Sequence, residues 1–266
     1  MKDKPTPLIE FKNITVIKGG YNKIIDSVSV TIHEGENVAI LGPNGAGKSS
    51  FIKTITRDYY PLPGRKNYVF KIWGKENWNI FSLRKRLGIV TNSLQHVHTS
   101  EISGMDVVLS GFFSSVGLWH QKVTAKMKKK AMEALEFMEI AHLGESKITE
   151  MSSGEARRFL IARALVHEPK ALILDEPTNS LDLHALHILR KTLRKIAKAG
   201  TSIILVTQSL QDIIPEINRV ILMKRGKFVC DGTKDAVLTS KNMSRLFDVP
   251  VVDMINKDGY YYVFRY

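Results

Sequence analysis

Residues 38–49 read V-A-I-L-G-P-N-G-A-G-K-S, an apolar run followed at once by a glycine-rich loop. The loop, from Gly42 to Ser49, matches the spacing G-x-x-x-x-G-K-[ST], and the residues after it are typical of a helix. Glycines allow a backbone to wrap a phosphate chain without Cβ clashes, and successive amides at a helix N-terminus form an anion site. The pattern therefore predicts a phosphate-binding loop between a buried strand and a helix that begins near Lys48.

The side chains of this loop are suited to a nucleoside triphosphate. We expect Lys48 to reach the β- and γ-phosphates, and the hydroxyl of Ser49 to bind Mg²⁺, a hard ion that prefers oxygen ligands. A tight turn that binds nothing is the alternative, and the strand–loop–helix context disfavours it. The candidate nucleotide-binding residues of the loop are Gly42, Asn44, Gly45, Ala46, Gly47, Lys48, Ser49 and Ser50.

The composition is that of an ordinary globular protein, with 266 residues of which 44% are hydrophobic and 24% charged. A single cysteine, Cys230, excludes an internal disulfide and indicates a reducing, intracellular setting. No apolar stretch reaches the length of a membrane-spanning helix, and no signal peptide is recognisable. The 39 basic and 26 acidic residues give a net charge of +13, which favours anionic partners such as nucleotides, nucleic acid or a negatively charged membrane face.

The order of the predicted elements indicates the fold class. Two strand patterns, at 8–17 and 24–32, are separated by a Gly-Gly turn. From residue 152 onward, helical and strand patterns alternate, and Gly200 is expected to end the second helix. These patterns cover 154–166, 171–174, 186–196 and 202–207. Such alternation predicts an α/β fold with a mainly parallel sheet.

Residues 94–150 differ from the rest of the chain in sequence pattern, because they contain few runs of β-branched residues and several helical patterns. We therefore expect one domain over residues 1–266, with a nucleotide-binding core formed by 1–93 and 151–266. Residues 94–150 are expected to form an inserted helical subdomain. The strand patterns near the N-terminus are expected to form an antiparallel β subdomain.

Residues 171–176 read A-L-I-L-D-E, an apolar strand that ends in two acids. Neighbouring side chains on a strand point in different directions, so the two acids can have different roles. We expect Asp175 to hold Mg²⁺ through water and Glu176 to polarise the water that attacks the γ-phosphate. Acids are common at a solvated strand end, but the upstream phosphate loop favours the catalytic interpretation.

Residues 151–158, M-S-S-G-E-A-R-R, resemble the signature sequence of ATP-binding cassette (ABC) ATPases, usually written L-S-G-G-Q. The run Ser180-Leu181-Asp182 resembles the D-loop of that family. Together with the phosphate loop, the order and spacing of these motifs cover nearly the whole chain. Within the family, the signature and residues 57–61 are most similar to the molybdate- and iron-complex-type ATPases.

The resemblance implies a P-loop NTPase fold of the RecA type that binds ATP and Mg²⁺. It also implies a head-to-tail dimer, in which the phosphate loop of one copy faces the signature of the other across ATP. Ser152, Ser153 and Gly154 open a helix and would offer donors and the positive end of its dipole. Asp182 would couple the two sites. Taken alone, the signature run is also an ordinary N-cap followed by a first-turn acid, Glu155.

The resemblance further implies a separate transmembrane permease as partner. We therefore expect the ATPase of an import system, cytoplasmic and peripheral to the inner face of the cell membrane, with a metal-containing anion or an iron complex as cargo. Two other functions stay open. A soluble ATP-driven switch acting on nucleic acid or ribosomes agrees with the net charge of +13. A regulatory ATP-binding module with weak hydrolysis agrees with Gln208, which occupies the place of a family histidine.

Family members carry a histidine after the strand at 202–207, whereas this chain has Gln208. A histidine there would hold the γ-phosphate, and glutamine can donate only a neutral hydrogen bond. Two interpretations follow. Either Gln208 keeps a working phosphate contact and hydrolysis depends on Glu176, or the chain binds ATP, dimerises and turns over slowly.

Two further site residues are ambiguous in the sequence. For the amide that contacts Mg²⁺, strict counting indicates Asn92, but Gln95 has the matching longer side chain and we favour it. For the aromatic residue that stacks on adenine, the usual place is occupied by Lys18, and Tyr21 lies just after the turn. Tyr21 is either a stacking residue by a shifted route or a turn residue only.

Overall fold

The computed structural model describes residues 6–63, 67–91, 101–115, 117–118 and 120–266. The chain divides into two compact units. The first unit comprises Met1–Ile80 and Ser202–Tyr266, and the second comprises Phe81–Thr201.

An antiparallel sheet covers the N-terminal part of the first unit. Strand β1 (Pro7–Lys18) pairs with β2 (Asn22–His33) on one side and with β4 (Val69–Ile72) on the other. The two long strands extend slightly beyond their predicted ranges. The expected antiparallel β subdomain at the N-terminus is confirmed.

A second set of strands in the first unit carries the phosphate loop. Strand β3 (Val38–Leu41) lies between two parallel neighbours, β7 (Ser202–Thr207) and β8 (Arg219–Lys224), and β9 (Lys227–Thr233) joins β8 in antiparallel fashion. Every residue of β3 and β7 is buried, as in the interior of a parallel sheet. Helix α1 (Lys48–Ile55) begins directly after the loop that follows β3.

The C-terminal part of the first unit was not predicted from the sequence. It contains a two-stranded hairpin whose turn, Asp258-Gly259, has positive φ at both residues, 54° and 79°. A two-residue hairpin turn of this hand requires that conformation, and Asp-Gly is a preferred pair for it. The elements of this part are α7 (Lys234–Val237), α8 (Ser240–Phe247), β10 (Asp253–Lys257) and β11 (Tyr260–Arg265).

The second unit is mainly helical and contains a parallel strand pair, β5 (Leu87–Val90) with β6 (Ala171–Asp175). Short 3₁₀ helices connect several of its longer elements. Numbered in chain order between α1 and α7, its helices are α2 (Ile80–Arg86, whose first residue belongs to the first unit), α3 (Gly104–Ser110), α4 (Ala125–Phe137), α5 (Ser153–Leu165) and α6 (Leu183–Lys198).

Helix α6 shows why these segments are helical. Leu189, Leu193 and Ile196 are buried along one face, at the spacing that the sequence predicts. Asp182 is the N-cap, and its side chain accepts a hydrogen bond of 2.7 Å from the backbone N–H of Ala185. Gly200 follows the C-terminus with φ of 91°, which confirms that it ends the helix.

The α/β fold class with mainly parallel core strands is therefore confirmed within each unit. The boundaries at 93/94 and 150/151 stay predictions. Within the described residues, no helix combines the length and the apolar character needed to cross a membrane.

Candidate functional site

The backbone of the phosphate loop depends on glycine at two positions. Gly47 precedes α1 with φ of 105°, a conformation that other residues rarely adopt. Gly42 has no room for a side chain, since a Cβ there would lie 2.2 Å from the carbonyl oxygen of Met223 in β8. The loop is therefore held against a neighbouring strand of the same sheet while its amides open the helix.

Replacing Gly42 by alanine is expected to destabilise the protein by about 3 kcal/mol, because the new methyl group would collide with fixed backbone. Urea unfolding of the two proteins measures this difference. The control is Gly232→Ala, where the added Cβ would meet only a methyl group of Val237, at 3.3 Å. Equal free energies of unfolding for the wild type and Gly42→Ala would contradict the close approach of loop and strand.

Lys48 is nearly buried, with 4% of its surface exposed. Its Nζ donates hydrogen bonds to the carbonyl oxygens of Gly42 at 2.8 Å and of Pro43 at 3.0 Å. The first turn of α1 contains no acidic residue that would compete with an anion for the positive end of the helix. A buried ammonium beside a helix N-terminus fits a phosphate chain.

The other residues predicted in this loop differ in exposure. Ala46 is buried and its carbonyl oxygen accepts a hydrogen bond of 2.8 Å from the N–H of Gly226. Asn44, Gly45 and Ser49 are exposed, and Ser50 is half-buried. The serine hydroxyl predicted to contact Mg²⁺ is thus at the surface of the first unit.

The two acids at the end of β6 lie in different environments. Asp175 is 9% exposed, whereas Glu176 is half-buried and has φ of 47°. The side-chain amide of Asn179 donates a hydrogen bond of 2.7 Å to Oε2 of Glu176 and orients that carboxylate. A positive φ at a non-glycine residue is a strained conformation that is frequent at functional sites.

Arg157 is a residue of this site that the sequence analysis did not single out. It lies on α5 and is 1% exposed. Burial lowers the pKa of its guanidinium, and the nearby charge of Asp175 opposes that shift. Arg157 is one of the two arginines in the signature run. The sequence therefore contained the residue, but it did not indicate that Asp175 would act on it.

The signature forms the N-terminus of α5. Ser152 is the N-cap in a capping box with Glu155, whose N–H donates to Ser152 Oγ at 3.3 Å. Oε2 of Glu155 accepts hydrogen bonds from the N–H of Ser152 at 2.9 Å and from its hydroxyl at 2.7 Å. These bonds hold the pKa of the Glu155 carboxyl below its usual value, so it is ionised at neutral pH.

Signature and D-loop residues lie together in the second unit. The hydroxyl of Ser153 donates a hydrogen bond of 3.1 Å to the carbonyl oxygen of Ser180. Asp182, two residues later, is exposed and caps α6. The structure thus brings together residues that are 27 positions apart in the chain.

Gln208 follows β7 in the first unit and is half-buried. Tyr21 lies in the turn between β1 and β2 and is 96% exposed. Asn92 and Gln95 lie outside the described residues. Tyr21 as a stacking residue and Gln95 as a magnesium contact stay predictions.

The described part of the chain contains no group of three or more His, Cys, Asp or Glu side chains that could hold a metal ion. Ser49 and Asp175 as magnesium ligands stay predictions.

Comparison with known proteins gives a consistent result. The family model described as ABC transporter matches residues 25–179. The uncharacterised ABC transporter ATP-binding protein YlmA of Bacillus subtilis is 30% identical over 253 residues, covering 94% of this chain and 95% of the relative. The hemin import ATP-binding protein HmuV of Bradyrhizobium diazoefficiens is 30% identical over 257 residues, covering 92% and 90%.

Two solved structures have the same fold. The cbiO1 protein of Clostridium perfringens, part of an ABC transporter complex, superposes with a TM-score of 0.73 at 27% identity, covering 90% of this chain and 94% of that one. An ATP-binding cassette in a dimeric post-hydrolysis state, bound to ADP and Pi, has a TM-score of 0.67 at 24% identity, covering 85% and 98%.

The predicted P-loop fold is confirmed by these cassettes, and the predicted kinship with iron-complex-type ATPases agrees with the hemin import relative. The family match covers more than half of the chain. The chain therefore belongs to the ABC transporter family.

Proposed function

We propose that this chain is the ATP-binding and ATP-hydrolysing subunit of an ABC transporter, in which two copies close head to tail on ATP and drive a separate membrane permease. The observation that carries this proposal is the phosphate loop. Lys48 is buried against the loop carbonyls, and the helix that follows has no acidic residue in its first turn. This arrangement attracts the charged end of a nucleoside triphosphate.

Binding of ATP in this loop requires a change of partners for Lys48. Its Nζ would exchange carbonyl contacts for the β- and γ-phosphates, while the amides of residues 45–49 hold the phosphate oxygens. Ser49, Asp175 and Gln95 would hold Mg²⁺, which supplies positive charge against the phosphates when it is bound. Tyr21, fully accessible in its turn, would stack on the adenine.

Hydrolysis would depend on Glu176 as the base that polarises the attacking water. Its carboxylate is oriented by the amide of Asn179, so its direction is set before any substrate arrives. Gln208 would contribute a neutral hydrogen bond to the γ-phosphate. Asp175 would carry the metal and leave Glu176 available for the water.

The dimer is supported by the electrostatics of the γ-phosphate, since one copy supplies positive groups from one side only. Ser152, Ser153 and Gly154 open α5 and would supply the other side from the second copy. The hydroxyl of Ser152 is bonded to Glu155 in this structure, so it would have to turn toward the phosphate. Asp182, which lies near the signature, would couple the two ATP sites of the dimer when it closes.

The permease and the cargo are supported by the relatives. The HmuV relative is named for hemin import, which agrees with a metal-containing anion or an iron complex as cargo. A subunit of this kind would lie in the cytoplasm at the inner face of the cell membrane. Nucleic acid as the partner agrees with the net charge of +13, but it is not favoured by the YlmA and HmuV relatives, which are named for an ABC transporter and for hemin import.

Purification in mild detergent tests the permease proposal. A polytopic membrane protein in stoichiometric amount is the expected companion. If the protein instead copurifies with RNA that is removed by raised salt, the soluble switch acting on nucleic acid would replace the transporter subunit.

A weakly hydrolysing ATP-binding module is the second candidate, and Gln208 is the observation that favours it. Replacing Gln208 by histidine is expected to raise the maximal rate of ATP hydrolysis about tenfold, because an imidazolium can hold the γ-phosphate more strongly than an amide. Phosphate release at saturating ATP measures this rate. Equal rates for the two proteins would remove the idea that Gln208 limits turnover.

A further inference from the structure

One buried threonine, Thr207, makes two hydrogen bonds within the loop that carries Gln208. Oγ1 of Thr207 accepts a hydrogen bond of 2.9 Å from the N–H of Ser209 and donates one to the carboxylate of Asp212. Thr207 and Asp212 are 1% and 3% exposed. These bonds join the two neighbours of Gln208 to each other and to Asp212, and so restrain the backbone at residue 208.

The far end of this loop is held by a buried lysine. Lys234, at the start of α7, is 8% exposed. Its Nζ donates hydrogen bonds to the carbonyl oxygens of Ile214 at 3.0 Å, Pro215 at 3.3 Å and Gly259 at 3.0 Å. An ammonium has three donors, so all three are used here, and one lysine ties the loop to the turn of the C-terminal hairpin.

The hairpin is attached at two more points. The hydroxyl of Tyr261, on β11, donates to the carboxylate of Asp235, next to Lys234. Gly259 lies so close to Pro215 that a Cβ there would approach the proline Cβ to 3.0 Å. A two-stranded hairpin is marginal by itself in water, so these contacts hold it in place.

The environment of both anchoring residues, Lys234 and Tyr261, shifts their pKa values. Burial lowers the pKa of Lys234, and the charges of Asp235 and Glu216 oppose that shift. Burial and the Asp235 carboxylate raise the pKa of Tyr261 to about 12. Three carbonyl oxygens that accept from one ammonium compensate its desolvation.

We propose that the C-terminal hairpin, acting through Lys234 and Tyr261, positions the loop that carries Gln208 and thereby sets the rate of ATP hydrolysis. The proposal rests on the role given above to Gln208. Lys234 and Tyr261 are positioning residues, since neither is expected to touch the nucleotide. The hairpin lies outside all motifs of the family resemblance, so none of those motifs assigns it a role.

The test is a double-mutant cycle on purified full-length protein. Tyr261→Phe and Lys234→Met are made in the wild type and in Gln208→Ala, and kcat, the Kd for ATP and the melting temperature are measured for each. We expect each anchor variant to lower kcat about fivefold while the Kd for ATP changes less than about twofold. In the Gln208→Ala background the same variants should cause no further loss of kcat.

The matched control is Tyr262→Phe, which removes a hydroxyl from the neighbouring residue of the same strand and should leave kcat unchanged. If Lys234→Met does not fold, Tyr261→Phe carries the cycle alone. Losses of kcat that multiply in the Gln208→Ala background, or an unchanged kcat in Tyr261→Phe, would overturn the positioning role. If Gln208→Ala itself retains full activity, the role of Gln208 in the proposed function fails, and this inference with it.

Discussion

Lys48→Met is expected to lose ATP affinity about 100-fold or more, because the loop would bind a polyanion without its only side-chain cation. The ammonium of Lys48 is already desolvated against the carbonyls of Gly42 and Pro43. Exchange of those carbonyls for phosphate oxygens therefore adds charge-assisted bonds without a new desolvation cost for the lysine. Titration with a fluorescent ATP analogue measures the affinity directly.

The control for this prediction is Lys53→Met, which removes an exposed lysine from the last turn of the same helix. It should bind the analogue as the wild type does. Should Lys48→Met retain full affinity, the loop would be a structural turn, and the proposed nucleotide site would have to be sought elsewhere.

Glu176→Gln is expected to lower the rate of hydrolysis by about 10²- to 10⁴-fold while ATP binding remains intact. The amide cannot accept the proton of the attacking water, but it keeps the shape of the carboxylate and its contact with Asn179. Since the nucleotide then persists, a dimer that closes on ATP should accumulate. Phosphate release measures the first effect, and light scattering after gel filtration with ATP and Mg²⁺ measures the second.

The control is Glu136→Gln, which replaces an exposed acid on α4 in the same unit. It should hydrolyse ATP normally and show no added dimer. A Glu176→Gln protein that stays monomeric with ATP at every workable concentration would contradict the head-to-tail dimer. Normal turnover in that variant would remove Glu176 as the base.

Local features of the fold were predictable because each depends on residues close together in the chain. The phosphate loop from Gly42 to Ser49 combines a buried strand, glycines and a helix start within a dozen residues. Helix α6 was predicted with its final glycine, Gly200, because helix caps obey local rules. The capping box between Ser152 and Glu155 was likewise visible as a spacing of three.

The C-terminal hairpin was missed although its signal was present. Asp258-Gly259 is a preferred hairpin turn, and the flanking residues have the alternation of strands. Residues 260–262 are three consecutive tyrosines, so the sequence does not show which of them faces the protein. In the structure Tyr261 is buried and Tyr262 is half-buried. Sequence pattern alone did not indicate what would hold the hairpin.

The amino-acid sequence thus specified the family, the phosphate loop and the strand with its two acids, because these are short motifs whose chemistry depends on spacing along the chain. Tertiary packing added the groups that orient them. Ser153 on the carbonyl of Ser180, and Lys234 on the carbonyls of Ile214 and Gly259, are contacts between residues far apart in sequence. Such contacts depend on which backbone carbonyls and charges the folded chain brings within about 3 Å of a buried donor, and no local pattern encodes that distance.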